Sequence, residues 1–333
     1  MNTISGEPGE SRPAATAVGF WRRSFAFWLD GLILALIGFL LIALAGDILM
    51  RLGQWGKLIG FAIGSLYFAL LEGGPGRGQS LGKRLMKIKV IRLDPTGISR
   101  LRYSHAWVRY AIVGVPTVLG GFAFIGSDAW HSPAWRWLVV ADGVLLAIWL
   151  FALGYLYLFN RPTRRTLQDL ATSTIVVPVT ATTGMLTSVR PLHWKVLAAA
   201  ALVIAIGTGI GMHFINPTYR ELGEVQRVVS AVPGVGEVGV SIGTSSMIRS
   251  QGGATTSHGA AIFYTLPDSA LQCEQITPQV AKAALQGWPE ASHQDYLSVI
   301  CMRSVELGIA YWRNQSATVH SPRQWAAQLG LPL

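Results

Sequence analysis

Charged residues are scarce in this chain. Only 13% of its 333 residues are Asp, Glu, Lys or Arg, whereas 51% are apolar. Soluble domains carry about 25% charged residues, so an ordinary soluble fold would have too little polar surface. Five apolar stretches instead have lengths typical of membrane-spanning helices, at residues 25–45, 55–71, 106–125, 137–159 and 196–215. The sequence therefore predicts an all-α membrane domain of five transmembrane helices.

Cysteine is nearly absent. The chain has two, Cys273 and Cys301, and both lie beyond the last apolar stretch. No cluster of His or Asp accompanies them, so they make a poor metal site, and we expect no metal and no cofactor. In an oxidising compartment these two residues would form a disulfide. Two unpaired buried thiols are the alternative.

Two motifs that would indicate an enzyme are incomplete. The glycine-rich run after the second apolar stretch has Arg77 where a phosphate-binding loop needs its first glycine, and Arg84 where it needs Ser or Thr. The pattern Gly239-x-Ser241-x-Gly243 resembles a nucleophile elbow, but a loop or hairpin rich in Ser and Thr follows it instead of a helix. We expect no enzymatic activity.

Lys and Arg are distributed unequally among the connecting segments. Seventeen lie in the N-terminal segment and in the segments 72–109 and 160–195, whereas only three lie in or next to the two intervening connections: Arg51, Lys57 and Arg136. Positive residues favour the cytoplasmic side, so we predict a cytoplasmic N-terminus and, after five spans, an extracytoplasmic C-terminal domain. The formal charge of +10 then reflects topology and anionic lipid contact, and nucleic-acid binding is not expected.

Two charged residues, one just before the first apolar stretch and one inside it, lie on one helical face. Arg23 and Asp30 are seven residues apart, which is two helical turns. An acid inside a span is costly and rarely faces lipid, so Asp30 should face other helices or water. Arg23 is its best local partner. Asp169, taken alone, predicts a surface ion pair with Arg164 or Arg165.

Three blocks of the sequence together resemble the RDD family of bacterial membrane proteins. They are Arg23-x-x-Ala26-x-x-x-Asp30, the Gly82-Lys83-Arg84 segment and Arg165-x-x-x-Asp169. The resemblance covers residues 18–180 and implies that Arg23, Asp30 and Asp169 are the residues that give the family its name. Gln168 stands where such proteins often carry histidine. The family implies a helical inner-membrane domain, and some members are linked to cation/proton antiport.

Two glycine patterns predict close helix packing. Gly60-x-x-x-Gly64 lies in the second apolar stretch and Gly207-x-x-x-Gly211 in the fifth. The partner of the second pattern is another span of this chain or a second copy, which leaves a homo-oligomer open.

The predicted organisation has four parts. Residues 1–18 are polar, lack a signal region and should be disordered and cytoplasmic. Residues 19–180 form the RDD-like four-helix membrane domain, 181–215 the linker and fifth helix, and 216–333 a small α+β extracytoplasmic domain. In that last part we expect helices at 217–232, 277–286 and 322–329, and strands at 237–242, 260–266, 296–302 and 305–312.

Two functions are compatible with these features. The first is cation or proton transport that uses Asp30, with Arg23 and Asp169 forming the polar site and Lys83, Arg84, Arg164 and Arg165 a cytoplasmic basic segment. A structural ion pair that orients the first span is the alternative for these residues. The second function is a membrane-anchored binding, sensing or scaffolding protein whose outer domain recognises a ligand or an envelope partner protein. In both cases the principal partner is the lipid bilayer of the bacterial inner membrane.

Overall fold

The computed structural model describes residues 17–94, 97–120, 133–161, 163–181, 188–248 and 254–332. These residues form two compact units. The first comprises the described residues of Met1–Leu34, Ala62–Pro116 and Trp149–Ala200, and the second those of Ala35–Phe61, Thr117–Ile148 and Ala201–Leu333. Each unit is described by itself.

The apolar stretches form long helices. They are α1 (Phe20–Leu52), α2 (Gly56–Glu72), α4 (Tyr103–Leu119), α5 (Pro133–Phe159) and α7 (Pro191–Ser230). A single 3-10 turn, Gly53–Trp55, joins α1 to α2, and α1 departs from helical geometry at Ala45. Long apolar sequences with few charges favour helices here because a bilayer leaves no other partner for backbone polar groups.

Three segments of the described chain are long and apolar enough to cross a membrane. They are Phe20–Glu72, which contains both α1 and α2, Val140–Phe159, and Pro191–Gly211. Helix α4 has 17 residues with Pro116 inside it, and the end of the expected span at 106–125 lies outside the described residues. Helices that are long and apolar enough to cross a membrane are therefore present among the described residues, and the number five stays a prediction.

The first unit adds a small sheet to its helices. After the short helix α3 (Leu81–Leu85) come β1 (Ile88–Asp94) and β2 (Gly97–Ser99), and α6 (Leu167–Ala171) precedes β3 (Thr174–Pro178). The strands lie in the order β2-β1-β3, and both pairs are antiparallel. Three buried side chains of the sheet, Ile88, Val90 and Val176, belong to one apolar cluster. The same cluster contains Ala26 of α1 and Ala106 of α4. The sheet thus places α6 beside the ends of α1 and α4.

The C-terminal part of the second unit is an α+β fold, as expected. Its elements are β4 (Val238–Ile248), β5 (Ala254–Thr265), α8 (Cys273–Gly287), β6 (Tyr296–Glu306), β7 (Tyr311–His320) and α9 (Pro322–Leu329). The strand order is β4-β5-β6-β7, with β5 and β6 parallel and α8 crossing between them. Tyr264, Val280, Trp288, Leu297 and Trp325 are buried together in its core.

The expected strand at 305–312 is wrong. Strand β6 ends at Glu306, a turn follows, and β7 begins at Tyr311. The Leu307 amide donates to the Ala310 carbonyl and closes the turn, and Gly308 has a φ of +74°, which only glycine adopts without strain. The apolar residues around the turn pack on helices instead of continuing the sheet.

The pattern at Gly239-x-Ser241-x-Gly243 lies inside strand β4. Ser241 is paired with Ala261 of β5 across the ladder. A nucleophile elbow needs its serine at a sharp turn from strand to helix. The pattern is therefore part of a β-hairpin.

The expected disulfide is present. Cys273 begins α8 and Cys301 lies buried in β6, and the two sulfurs are bonded across a sequence separation of 28 residues. The bond joins the crossover helix to the sheet.

Candidate functional site

Asp169 is fully buried near the beginning of α6. One of its oxygens, Oδ2, accepts hydrogen bonds from the Thr166 backbone amide at 3.0 Å and from the Thr166 hydroxyl at 2.8 Å. A carboxylate three residues after a threonine is the sequence signature of a helix N-cap. The short helix thereby holds the carboxylate in one orientation.

Two arginines from distant parts of the chain meet this carboxylate. Arg23 of α1 donates from Nη2 to Asp169 Oδ2 at 2.7 Å, and Arg109 of α4 donates from Nη1 to Asp169 Oδ1 at 2.6 Å. Arg109 also donates to the Thr174 hydroxyl in β3, and Arg23 to the Arg164 carbonyl. Asp169 therefore connects α1, α4 and α6. It is not the exposed partner of Arg164 or Arg165 expected for an isolated surface pair.

The pKa of Asp169 is held well below its ordinary value. Burial alone would raise it, but the charges of Arg23 and Arg109 and the hydrogen bonds from Thr166 and Arg109 outweigh burial. Burial lowers the pKa of the neighbouring Arg165, and the charge of Asp169 opposes that shift. The Arg165 guanidinium donates to the Asp169 backbone carbonyl at 3.2 Å.

Asp30 occupies a separate position in the same unit. Its Oδ1 accepts from the Tyr67 hydroxyl and the Gly82 amide, each at 2.7 Å, and its Oδ2 accepts from the Ser80 hydroxyl at 2.5 Å. Only 1% of Asp30 is exposed. The expected pairing of Arg23 with Asp30 is replaced by these contacts, because Arg23 reaches Asp169 instead.

Gly82 permits the close approach of α3 to α1. A Cβ at this position would collide with the Ala26 carbonyl and lie 3.0 Å from the Asp30 carboxyl carbon. Only glycine lets the backbone amide reach the carboxylate at this distance. This contact gives the Gly82-Lys83-Arg84 block a structural basis.

A chain of polar contacts joins the two aspartates. Lys83 pairs with Glu72 and lies 3.4 Å from the Ser80 hydroxyl that binds Asp30. Glu72 Oε2 lies 3.7 Å from Arg109 Nε, and Arg109 binds Asp169. We call this set the polar network: Arg23, Asp30, Tyr67, Glu72, Ser80, Lys83, Arg109 and Asp169. The residues of all three sequence blocks meet in it.

Sequence reasoning missed four members of this network. Tyr67, Glu72, Ser80 and Arg109 were not predicted site residues, and Arg109 was counted only as a loop charge. A sequence feature that could have identified two of them is a charged residue near the end of an apolar stretch, which is the position of Glu72 and Arg109. Within the expected basic segment, Lys83 belongs to the network and Arg165 borders it, whereas Arg84 and Arg164 are exposed.

A cavity of about 450 Å³ lies beside the polar network. Its polar wall is formed by Arg23, Lys83, Arg109, Thr166 and Gln168. The rest of its lining is mainly apolar, including Phe20, Phe27, Trp28, Leu153 and Tyr157. Asp30 does not line this cavity.

In the second unit, the turn between β6 and β7 packs on the helical hairpin of α1 and α2. Glu306 Oε2 lies 2.7 Å from Lys57 Nζ. Leu307 and Val305 are buried with Leu49 and Met50 of α1. Side chains at Gly56 and Gly60 would collide with the carbonyls of Glu306 and Leu307 respectively. The glycines thus let the backbone of the turn lie directly on α2.

The expected packing glycines have different surroundings. Gly60 contacts this turn, and a side chain at Gly64 would collide with Tyr110 of α4. At Gly207 and Gly211 the described residues place nothing within 4 Å of an added Cβ. A packing role for that second pair stays a prediction.

The C-terminal fold has a polar cavity of about 360 Å³ beside the disulfide. It is lined by Ser269, Gln272, Cys273, Glu274, Arg303, Asn314, Gln315 and Ser316. Arg303 donates to the Leu271 carbonyl, which fixes it at the cavity wall. Within the described residues no group of three or more His, Cys, Asp or Glu side chains is arranged to hold a metal.

Comparisons with known proteins address the membrane part. The family model of the RDD family matches residues 17–173, the stretch that contains every member of the polar network. No curated protein and no solved structure matches the chain. The match, the apolar helices and the three sequence blocks agree, and residues 17–173 of this chain are an RDD family membrane region.

Proposed function

We propose that this chain is a membrane-anchored binding or sensing protein, in which the C-terminal domain is coupled to the membrane helices through the β6–β7 turn. The observation that carries the proposal is the seating of that turn on α1 and α2. A merely tethered domain needs no such contact, whereas a domain that reports its state to the membrane needs a rigid one. No catalytic activity is proposed.

The contact has the composition of a permanent interface. Its centre is apolar, with Leu49, Met50, Val305 and Leu307 all buried. At one edge the Lys57–Glu306 pair is largely shielded, with side-chain exposures of 11% and 29%. An apolar centre with a shielded polar edge is typical of stable protein interfaces.

The polar cavity beside the disulfide is the proposed ligand site of the C-terminal domain. It offers the Arg303 guanidinium, the Glu274 carboxylate and the amides of Asn314 and Gln315. Such a set recognises a small polar ligand by hydrogen bonds and one ion pair. The chain segment from Arg303 to Glu306 leads directly from this cavity to the turn on α2, along strand β6.

We place the C-terminal domain outside the cytoplasm of a bacterial inner membrane, with the N-terminus inside. The distribution of Lys and Arg along the sequence supports this orientation. The disulfide between Cys273 and Cys301 also supports it, since such bonds persist in oxidising compartments.

The coupling can be tested at the Lys57–Glu306 pair by a double-mutant cycle. We expect a coupling free energy of about 1–2 kcal/mol between Lys57→Met and Glu306→Gln, because the charged hydrogen bond is largely shielded from water. Thermal unfolding in lipid nanodiscs measures the four free energies. The exchanged pair Lys57→Glu with Glu306→Lys should recover most of the stability that Lys57→Glu loses. The coupling would be contradicted if the stability losses of the two single variants were additive and the exchanged pair recovered none of the loss.

Cation or proton exchange is a second candidate function, favoured by the burial of the Asp30 carboxylate in α1. Three donors occupy both of its oxygens, so a transported ion would have to displace them. Under this function Asp30→Asn abolishes exchange in proteoliposomes while expression is retained. Asp47→Asn, at an exposed position of the same helix, is the matched control. Equal exchange in the Asp30 variant and the unmodified protein would exclude the function.

A further inference from the structure

We propose that the cavity beside the polar network binds an acidic phospholipid, with its phosphate against the basic wall and an acyl chain along the apolar wall. The proposal is independent of the function assigned to the C-terminal domain. It rests on the charge balance, the shape and the unused hydrogen-bonding groups of the described residues around the cavity.

The basic wall has one positive charge in excess of the carboxylates that pair with it. Three of its side chains are cationic and have exposures of 16% or less: Arg23, Lys83 and Arg109. Two buried carboxylates, on Glu72 and Asp169, form ion pairs with them. An unbalanced charge in an apolar surrounding is costly, and the phosphate of a lipid would neutralise it.

Two buried polar atoms of cavity-lining residues make no hydrogen bond. They are Arg109 Nε, which lies 3.7 Å from Glu72 Oε2, and Gln168 Oε1. A guanidinium N–H is suited to a phosphate oxygen. The Gln168 carbonyl would accept from a headgroup hydroxyl such as those of glycerol.

The remaining walls are suited to an acyl chain. Phe27 and Trp28 are 59% and 77% exposed and line the cavity with Leu153 and Tyr157. Because α1 is a membrane helix, these exposed side chains face an apolar surrounding. A soluble phosphate would leave this wall uncovered, whereas a phospholipid would cover the basic and apolar walls together. Basic pockets between membrane helices are known to hold acidic headgroups.

Gly154 allows the cavity to be filled without disturbing its polar wall. This residue of α5 lines the cavity, and the described residues place nothing within 4 Å of an added Cβ. Gly143 lies on the same helix with the same open surroundings and does not line the cavity. Gly154→Leu and Gly143→Leu are therefore a matched pair.

Native mass spectrometry of the purified full chain, titrated with phosphatidylglycerol or phosphatidylcholine, tests the proposal. One excess charge is worth about 1 kcal/mol toward an anionic lipid, so we expect about fivefold tighter binding of phosphatidylglycerol. Gly154→Leu should abolish that preference and Gly143→Leu should retain it. Gln168→Glu, which adds a negative charge to the wall, should reduce the preference.

Three results would overturn the proposal. One is equal binding of the two lipids. The second is a preference that Gly154→Leu leaves unchanged. The third is competition by millimolar glycerol phosphate as effective as competition by the lipid, since the site would then recognise a soluble phosphate alone.

Discussion

Replacing Asp169 by asparagine should destabilise the first unit by about 3–5 kcal/mol, because it removes one partner of a buried charge network. The side chain is completely buried, and Arg23 and Arg109 both donate to it within 2.7 Å. In the variant, Arg109 would still have the Glu72 carboxylate at 3.7 Å. Arg23 would have only neutral hydrogen-bond acceptors among its described contacts. The variant also weakens the N-cap of α6, which Asp169 shares with Thr166.

Unfolding of the protein in lipid nanodiscs measures this loss. Asp47→Asn is the matched control, since Asp47 is an exposed acid of α1 and its replacement should change stability by less than about 0.5 kcal/mol. A loss below about 1 kcal/mol for Asp169→Asn would contradict a central role for this carboxylate.

The contribution of Asp169 to the free energy of unfolding should depend on pH. Since the pKa of Asp169 is depressed in the folded chain from an ordinary value of 3.8, its stabilisation is complete above the unfolded pKa. It is lost as the pH falls from about 4 toward the depressed value. The difference in stability between the unmodified chain and Asp169→Asn should therefore be constant near neutral pH and shrink below about pH 4. An unchanged difference at pH 3 would place the origin of the effect elsewhere.

Local patterns predicted much of the secondary structure. Apolar runs with few charges predicted the long helices, and the helix at 322–329 was predicted at its observed ends. Its signals are local: Ser321 caps it, Gln324 returns the hydrogen bond, and Gly330 ends it in the left-handed region. The Cys273–Cys301 bond followed from the number and location of the cysteines.

Contacts over long separations were harder to predict. Arg23 and Asp169 are 146 residues apart, and helical spacing instead favoured the pairing of Arg23 with Asp30. The family resemblance grouped all three residues without saying which pairs form. Arg109 was assigned to a loop because a charge count cannot distinguish a loop cation from one buried at a helix end.

The error at residues 305–312 has a similar origin. Val305, Leu307 and Ile309 alternate in the sequence as a buried strand would. Val305 and Leu307 are buried in the cluster on α1 and α2, and Ile309 packs against it. Hydrophobic periodicity indicates that a residue is buried, but it does not identify the surface that covers it.

The central claim is that the β6–β7 turn is seated on the membrane helices, and Gly60→Val tests it most directly. The added side chain would overlap the Leu307 carbonyl, and such overpacking costs about 1–3 kcal/mol. The equilibrium constant for opening of the turn should then increase roughly 5- to 150-fold.

Hydrogen-exchange mass spectrometry in nanodiscs should detect that opening at the Leu307 amide, which is bonded to the Ala310 carbonyl. Gly143→Val, at an open position of α5, is the control. We predict faster exchange at the turn in Gly60→Val and unchanged exchange in Gly143→Val. Equal exchange at the turn in Gly60→Val and the unmodified protein would contradict the seating of the turn and the coupling built on it.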